Sequence, residues 1–189
     1  MRMRHTLIAV ACLFVLAAQA SAQSGFVAKP WTYDPDNTGV AAGAWVPKAG
    51  YEGHGLYLQK NGPTATNAAA GATIQGVNGI KLTELGFDYM NAGYCGAGAP
   101  RYNVHLTDGS SYFFFGCAYG LHTALGPDWT RVRFTDADAY PASPAYVWPG
   151  FGNAQVAAVY LVFDEGPGAV TLDNLDVNGV LIGKPGNSK

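Results

Sequence analysis

Residues 85–117, LGFDYMNAGYCGAGAPRYNVHLTDGSSYFFFGC, decide how the rest of the chain is read. The stretch splits into three β-rich runs, with a cysteine near each end. Leu85, Phe87 and Tyr89 recur with period two, so one strand face carries them. A loop rich in glycine follows at 91–100, then a strand at 101–106. Thr107-Asp108-Gly109-Ser110 is turn chemistry, because Asp and Gly accept the backbone angles of a tight reversal. Residues 112–116 are an aromatic strand. Three strands folded back on one another are expected here. The chain before them should lead into one sheet, and the chain after them should close a second sheet over it.

The flanks fit that plan. HGLYLQK at 54–60 alternates Leu56 and Leu58 against Tyr57 and Gln59, as a strand with one buried face does. Strands are also expected at 72–77 and 80–90, joined by Asn78-Gly79, a dipeptide suited to a type I′ hairpin. Further strands are expected at 129–134, 155–163 and 169–177, with a short edge piece at 180–183. In the last long strand Val170, Leu172, Asn174 and Asp176 are expected on one face, and Thr171, Asp173, Leu175 and Val177 on the other. Residues 23–53 read as irregular, with a short strand at 40–46; TATNAAAG at 64–71 leaves a single helical turn open. Eight or nine short strands with tight turns predict an all-β antiparallel sandwich of two sheets. A charged fraction of only 13% suits this class better than a helical bundle.

The first 22 residues read as a signal peptide. Arg2 and Arg4 form a positive start, an apolar run comes next, and Ala20-Ser21-Ala22 is a cleavage signal. The apolar run is shorter than the roughly 20 residues that span a bilayer, so no membrane span is expected. One domain is then expected over 23–189, secreted or periplasmic. Removing Arg2 and Arg4 from the eleven basic residues leaves nine against thirteen acidic ones, a formal charge of −4. The basic residues are scattered, so nucleic acid is not an expected partner. Cys12 leaves with the signal. Cys95 and Cys117 remain, and an isolated pair in an exported chain predicts a disulfide.

VTLDNLDV at 170–177 resembles the final strand of jelly-roll carbohydrate-binding modules, the galactose-binding-like sandwich. LYLQKNGPT, AAAGATI, CGAGAPRYNV and FFFGC are similar to a group of exported bacterial proteins without assigned function. The first resemblance implies a jelly roll and a non-catalytic ligand-binding role. It also implies a structural calcium held by Asp173, with Asp34 and Asp36 as the acidic partners near the N-terminus. The DPDNTG turn is not an EF-hand loop, because Trp45 stands where that loop needs a bidentate Glu.

Sugars stack their C–H faces on flat rings and hydrogen-bond through their hydroxyls. Tyr102, Tyr112, Phe114, Trp129 and Arg131 are therefore the expected ligand-binding residues, with Arg101 and Arg133 as further donors. The competing reading buries these rings in the core, with arginine stems over them. A structural or adhesive exported protein is the second functional reading, and it predicts that residues 112–115 are buried on both faces. A hydrolase is the third. It would need Asp164 or Glu165 in a pocket with a second carboxylate or a histidine, whereas both are expected to be solvated at a turn. No G-x-S-x-G elbow and no closely spaced histidine pair is present.

Overall fold

The computed structural model describes residues 25–183. The signal peptide expected over 1–22 and the C-terminal tail at 184–189 lie outside the described residues. Thirteen strands succeed one another: β1 (Val27–Tyr33), β2 (Ala41–Gly50), β3 (Gly53–Lys60), β4 (Ala69–Gln75), β5 (Leu85–Met90), β6 (Arg101–Leu106) and β7 (Ser111–Phe114). Then come β8 (Leu121–Ala124), β9 (Trp129–Arg133), β10 (Ala139–Pro141), β11 (Val156–Phe163), β12 (Gly168–Val177) and β13 (Val180–Ile182). One sheet has the order β1-β4-β11-β6-β7-β10, the other β2-β3-β12-β5-β9-β8, with β13 added on β12. All pairings are antiparallel. The fold is a jelly-roll β-sandwich.

The strand count exceeds the eight or nine expected. β1 lies in the stretch read as irregular, and it tolerates Pro30 because it is an edge strand. β8 and β10 are also edges, too short to show a period. The alanines before Gly71 enter β4 and form no helical turn. Asn78-Gly79 is not a hairpin turn, since β4 and β5 belong to opposite sheets. The three strands of residues 85–117 likewise divide: β6 and β7 pair, while β5 lies across the sandwich.

Period two decides what is buried. Phe87 from one sheet meets Tyr102 from the other, and Phe134 packs against both with ring centroids 5.6 and 5.9 Å away. The Tyr102 hydroxyl donates to the Gly86 carbonyl at 2.8 Å, a buried hydrogen bond between the two sheets. Burial also pushes the Tyr102 hydroxyl pKa well above its ordinary value. The regular alternation expected in β12 breaks. The β12–β5 register shifts between Asp173 and Asp176, and Asn174 takes a positive φ of 46°. Asn is among the few side chains that enter this region readily. The bulge turns Leu175 and Val177 into the core beside Val170 and Leu172.

Candidate ligand-binding face

The β6–β7 hairpin sets the site. At its turn Asp108 accepts from the backbone N–H and hydroxyl of Ser110, at 2.9 and 2.7 Å. Gly109 supplies the positive φ of 88°. The resulting register places Asn103 opposite Phe113. Tyr102, Val104 and Leu106 are core residues, so Asn103 faces outward, and Phe113 with it.

The same row continues over the whole sheet. Lys29 pairs Thr73, Thr73 pairs Tyr160, Tyr160 pairs Asn103, Asn103 pairs Phe113, and Phe113 pairs Tyr140. Strand spacing of about 4.8 Å puts Tyr160 and Phe113 roughly 10 Å apart, with Asn103 between them. Phe113 is 37% exposed and Tyr140 55%. The parallel outward row runs Trp31, Gly71, Val162, Arg101. Gly71 is needed there, because the Trp31 indole lies where its Cβ would stand. His105 borders the first row, edge-on to Tyr160 at 5.5 Å and hydrogen-bonded through Nδ1 to the Ser111 hydroxyl at 2.8 Å.

Past the end of β7 the aromatic surface goes on. Phe115 lies 5.7 Å from Tyr140 and 5.0 Å from Tyr119, centroid to centroid. Residues 95–100 wall this end. Cys95 and Cys117 form the expected disulfide, and the loop is tied to residues 116–118 by Gly116 N–H to Ala97 O, Cys117 N–H to Pro100 O and Ala118 N–H to Gly96 O. Arg101 clamps the wall from below. Its guanidinium donates to both Asp164 oxygens at 2.6 Å, to Gly98 O at 2.7 Å and to Asn103 Oδ1 at 3.0 Å, and it sits 5.8 Å from the Phe113 ring centre. A cavity of about 220 Å³ opens between loop and rings.

On the far side of the clamp, a second hollow of about 600 Å³ is lined by Lys60, Tyr94, Asp164 and Glu165. Neither acid is solvated in the way the turn implied. Asp164 is engaged by Arg101, and Glu165 accepts from the Tyr94 hydroxyl and Gly98 N–H at 3.2 and 3.1 Å. Burial and the nearby Glu165 raise the Tyr94 pKa. Two carboxylates therefore do share this hollow, as the hydrolase reading requires, but each is already engaged within the fold, Asp164 by Arg101 and Glu165 by Tyr94 and Gly98, and no histidine lines it.

The residues expected from the sequence to bind ligand do not come together. Tyr102, Tyr112 and Phe114 are core side chains, and a buried ring presents no face to a sugar. The Tyr112 hydroxyl is used on Val147 O at 2.8 Å. Trp129 and Arg131 face outward from the other sheet, where Tyr51 covers Trp129 edge-on at 6.0 Å. Arg131 is bound by Asp88, which holds its pKa above the ordinary value. Arg133 joins Glu84 and Asp176 at 2.7 Å each. All three arginines expected as ligand donors thus serve ion pairs within the fold. Aromatic residues 112–115 are buried on one face only, contrary to what the structural or adhesive reading predicts.

The three expected calcium ligands do not form a set. Asp34 accepts from Thr38 Oγ and Gly39 N–H, and Asp36 from Thr66. Asp173 accepts from Glu52 N–H, beyond the far end of β2. Ten residues of β2 separate the two ends, about 30 Å of extended chain. Among the described residues, the His, Cys or carboxylate trio whose ligand atoms lie within 4.8 Å of one another is Cys95, Cys117 and His122. There both sulfurs are spent on the disulfide.

Asp176 offers a check on the charged side. Burial raises its pKa above the ordinary 3.8, Glu84 adds to this, and Arg133 opposes it. A carboxyl whose folded pKa is raised stabilises most below the unfolded value, and this contribution is lost as pH rises through the folded value. Asp176→Asn keeps an acceptor for Gly179 N–H and should cost about 1 kcal/mol or less at pH 7. It should also remove part of the pH slope of urea midpoints in the acid range; an unchanged slope would contradict the assignment.

No family model matches the chain. No curated protein matches it. Among solved structures, the solution structure of CtCBM11 superposes with a TM-score of 0.52 at 10% identity, covering 85% of this chain and 99% of that one. The likeness is one of fold. The family 11 carbohydrate-binding module of the cellulosomal cellulase Lic26A-Cel5E of Clostridium thermocellum gives a TM-score of 0.49 at 11% identity, over 84% and 91% of the two chains. Among the described residues no helix is long and apolar enough to cross a membrane.

Proposed function

We propose that the protein is an exported, non-catalytic domain that holds a carbohydrate across the outward face of the β1-β4-β11-β6-β7-β10 sheet. One observation carries this reading: the single register row in which Tyr160, Phe113 and Tyr140 are set beside the hydrogen-bonding Asn103 and Thr73. Rings receive the C–H faces of sugars, and the amide and hydroxyl between them receive hydroxyl groups. Scattered exposed rings need no explanation, but a contiguous exposed aromatic surface marks an interaction site. The fold shared with CtCBM11, a carbohydrate-binding module, supports the same role. The disulfide supports an oxidising compartment.

Affinity electrophoresis over a panel of soluble polysaccharides tests the reading. The native protein should be retarded by at least one. Each stacked ring contributes on the order of 1 kcal/mol, so Phe113→Ala with Tyr160→Ala should weaken retention by about tenfold or more. Leu121→Ala, an exposed change on β8 of the other sheet, should leave it intact. Retention by none of the polysaccharides, or retention unaffected by the double change, would overturn the proposal.

A further inference from the structure

We infer that the cavity at the Phe115 end of this face receives a flat aromatic group carried by the glycan, as an aryl ester or aryl glycoside, and not a sugar ring. The inference rests on the glycan reading above and names what sits at one end of it. The cavity of about 220 Å³ is lined by Ala97, Gly98, Arg101, Tyr140 and the three phenylalanines Phe113, Phe114 and Phe115.

The decisive point is how few polar groups this lining has left to offer. Arg101 has five N–H groups, and four are taken by Asp164, Gly98 O and Asn103. The Gly98 N–H is given to Glu165, and the Gly98 carbonyl is used by Arg101. The Gly96 N–H and the carbonyls of Gly96, Ala97 and Ala99 are spent on holding the loop. A pyranose pushed in here would strip water from several hydroxyls and return few hydrogen bonds. Each hydroxyl left unsatisfied costs about 1–3 kcal/mol.

An aromatic ring carries no such cost. Phe113, Phe115 and Tyr140 line the cavity, and Phe115 and Tyr140 meet at 45° with centroids 5.7 Å apart. Added aromatic contacts contribute about 0.5–1.5 kcal/mol beyond their area. The size agrees as well: an apolar cavity of about 150 Å³ accepts benzene, so this one has room for one substituted ring. A small acyl group would leave much of the lining without contacts. The cavity adjoins the Phe113 and Tyr140 end of the outward row, so a glycan on that row would present a substituent to it.

Calorimetry with methyl and phenyl β-glycosides of the same disaccharide, run for cellobiose and xylobiose, tests this. The phenyl glycosides should bind at least tenfold more tightly than the methyl ones. Phe115→Ala should remove that gap, weakening phenyl glycoside binding about tenfold more than methyl glycoside binding. In the unaltered protein, amide signals of Ala97 and Gly98 should shift with phenyl but not with methyl glycosides. Equal affinities, a gap that survives Phe115→Ala, or shifts absent at Ala97 and Gly98 would overturn the inference. Methyl glycosides binding as tightly as phenyl ones would overturn it alone and leave the glycan reading standing.

Discussion

Replacing Asp88 with alanine is expected to lower the stability of the domain by about 3 kcal/mol. Asp88 lies on the outward side of β5, yet it is 0% exposed. Arg131 Nε and Nη2 reach its two oxygens at 2.7 and 2.9 Å, and Asn174 Nδ2 adds a third bond at 2.7 Å. Asn174 delivers that amide from the bulge in β12, so one carboxylate joins β5, β9 and β12. Removing one member of a buried ion pair costs about 3–5 kcal/mol, because the remaining charge keeps its desolvation penalty. The lower end applies since the Arg131 side chain is 29% exposed and can turn toward water. For a domain of this size the melting temperature should fall by roughly 10 °C. Urea unfolding with an unchanged m-value would confirm a stability effect. A loss below about 1 kcal/mol would show that Arg131 rehydrates freely and that the carboxylate is not a structural tie.

Removing the disulfide, as Cys95→Ser with Cys117→Ser, should cost a similar roughly 3 kcal/mol. The bridge closes a loop with a sequence separation of 22, and most of its effect in the chain-entropy account lies in the unfolded state. A second consequence is local. Residues 95–100 form the wall of the aromatic cavity, and three backbone hydrogen bonds to residues 116–118 would then hold them without the covalent tie. Binding to the platform should weaken more than in a surface variant of equal stability. Thiol labelling without reductant should fail at both cysteines in the folded protein; rapid labelling would contradict the bridge.

The all-β class was legible from frequent turn residues, β3 from its period-two alternation, β11 from its continuous apolar run, and the disulfide from an isolated cysteine pair in a chain with an expected signal peptide. The candidate face was only half legible. Residues 112–115 are aromatic at every position, so composition shows rings on both faces and gives no parity. Parity comes from the partner strand: Tyr102, Val104 and Leu106 set the inward side of β6, and the Asp108-Gly109 turn transfers it to β7. Carrying that register across the turn would have selected Phe113 in place of Tyr112 and Phe114. Tyr160 was hidden inside the apolar run of β11, whose small outward neighbours Ala158 and Val162 mask the alternation. The arginines misled for a different reason. Their partners Asp164, Asp88, Glu84 and Asp176 lie 43 to 63 positions away or across another strand, and no local pattern joins them.

Amide and aromatic chemical shifts, followed during titration with the best-retained oligosaccharide, locate the bound glycan on one sheet or the other. Signals of Tyr160, Asn103, Phe113 and Tyr140 should move together, while those of Tyr57, Arg131 and Thr123 on the opposite sheet stay still. Shifts centred on Arg131 and Tyr57, with the Tyr160–Phe113 row silent, would contradict the proposal.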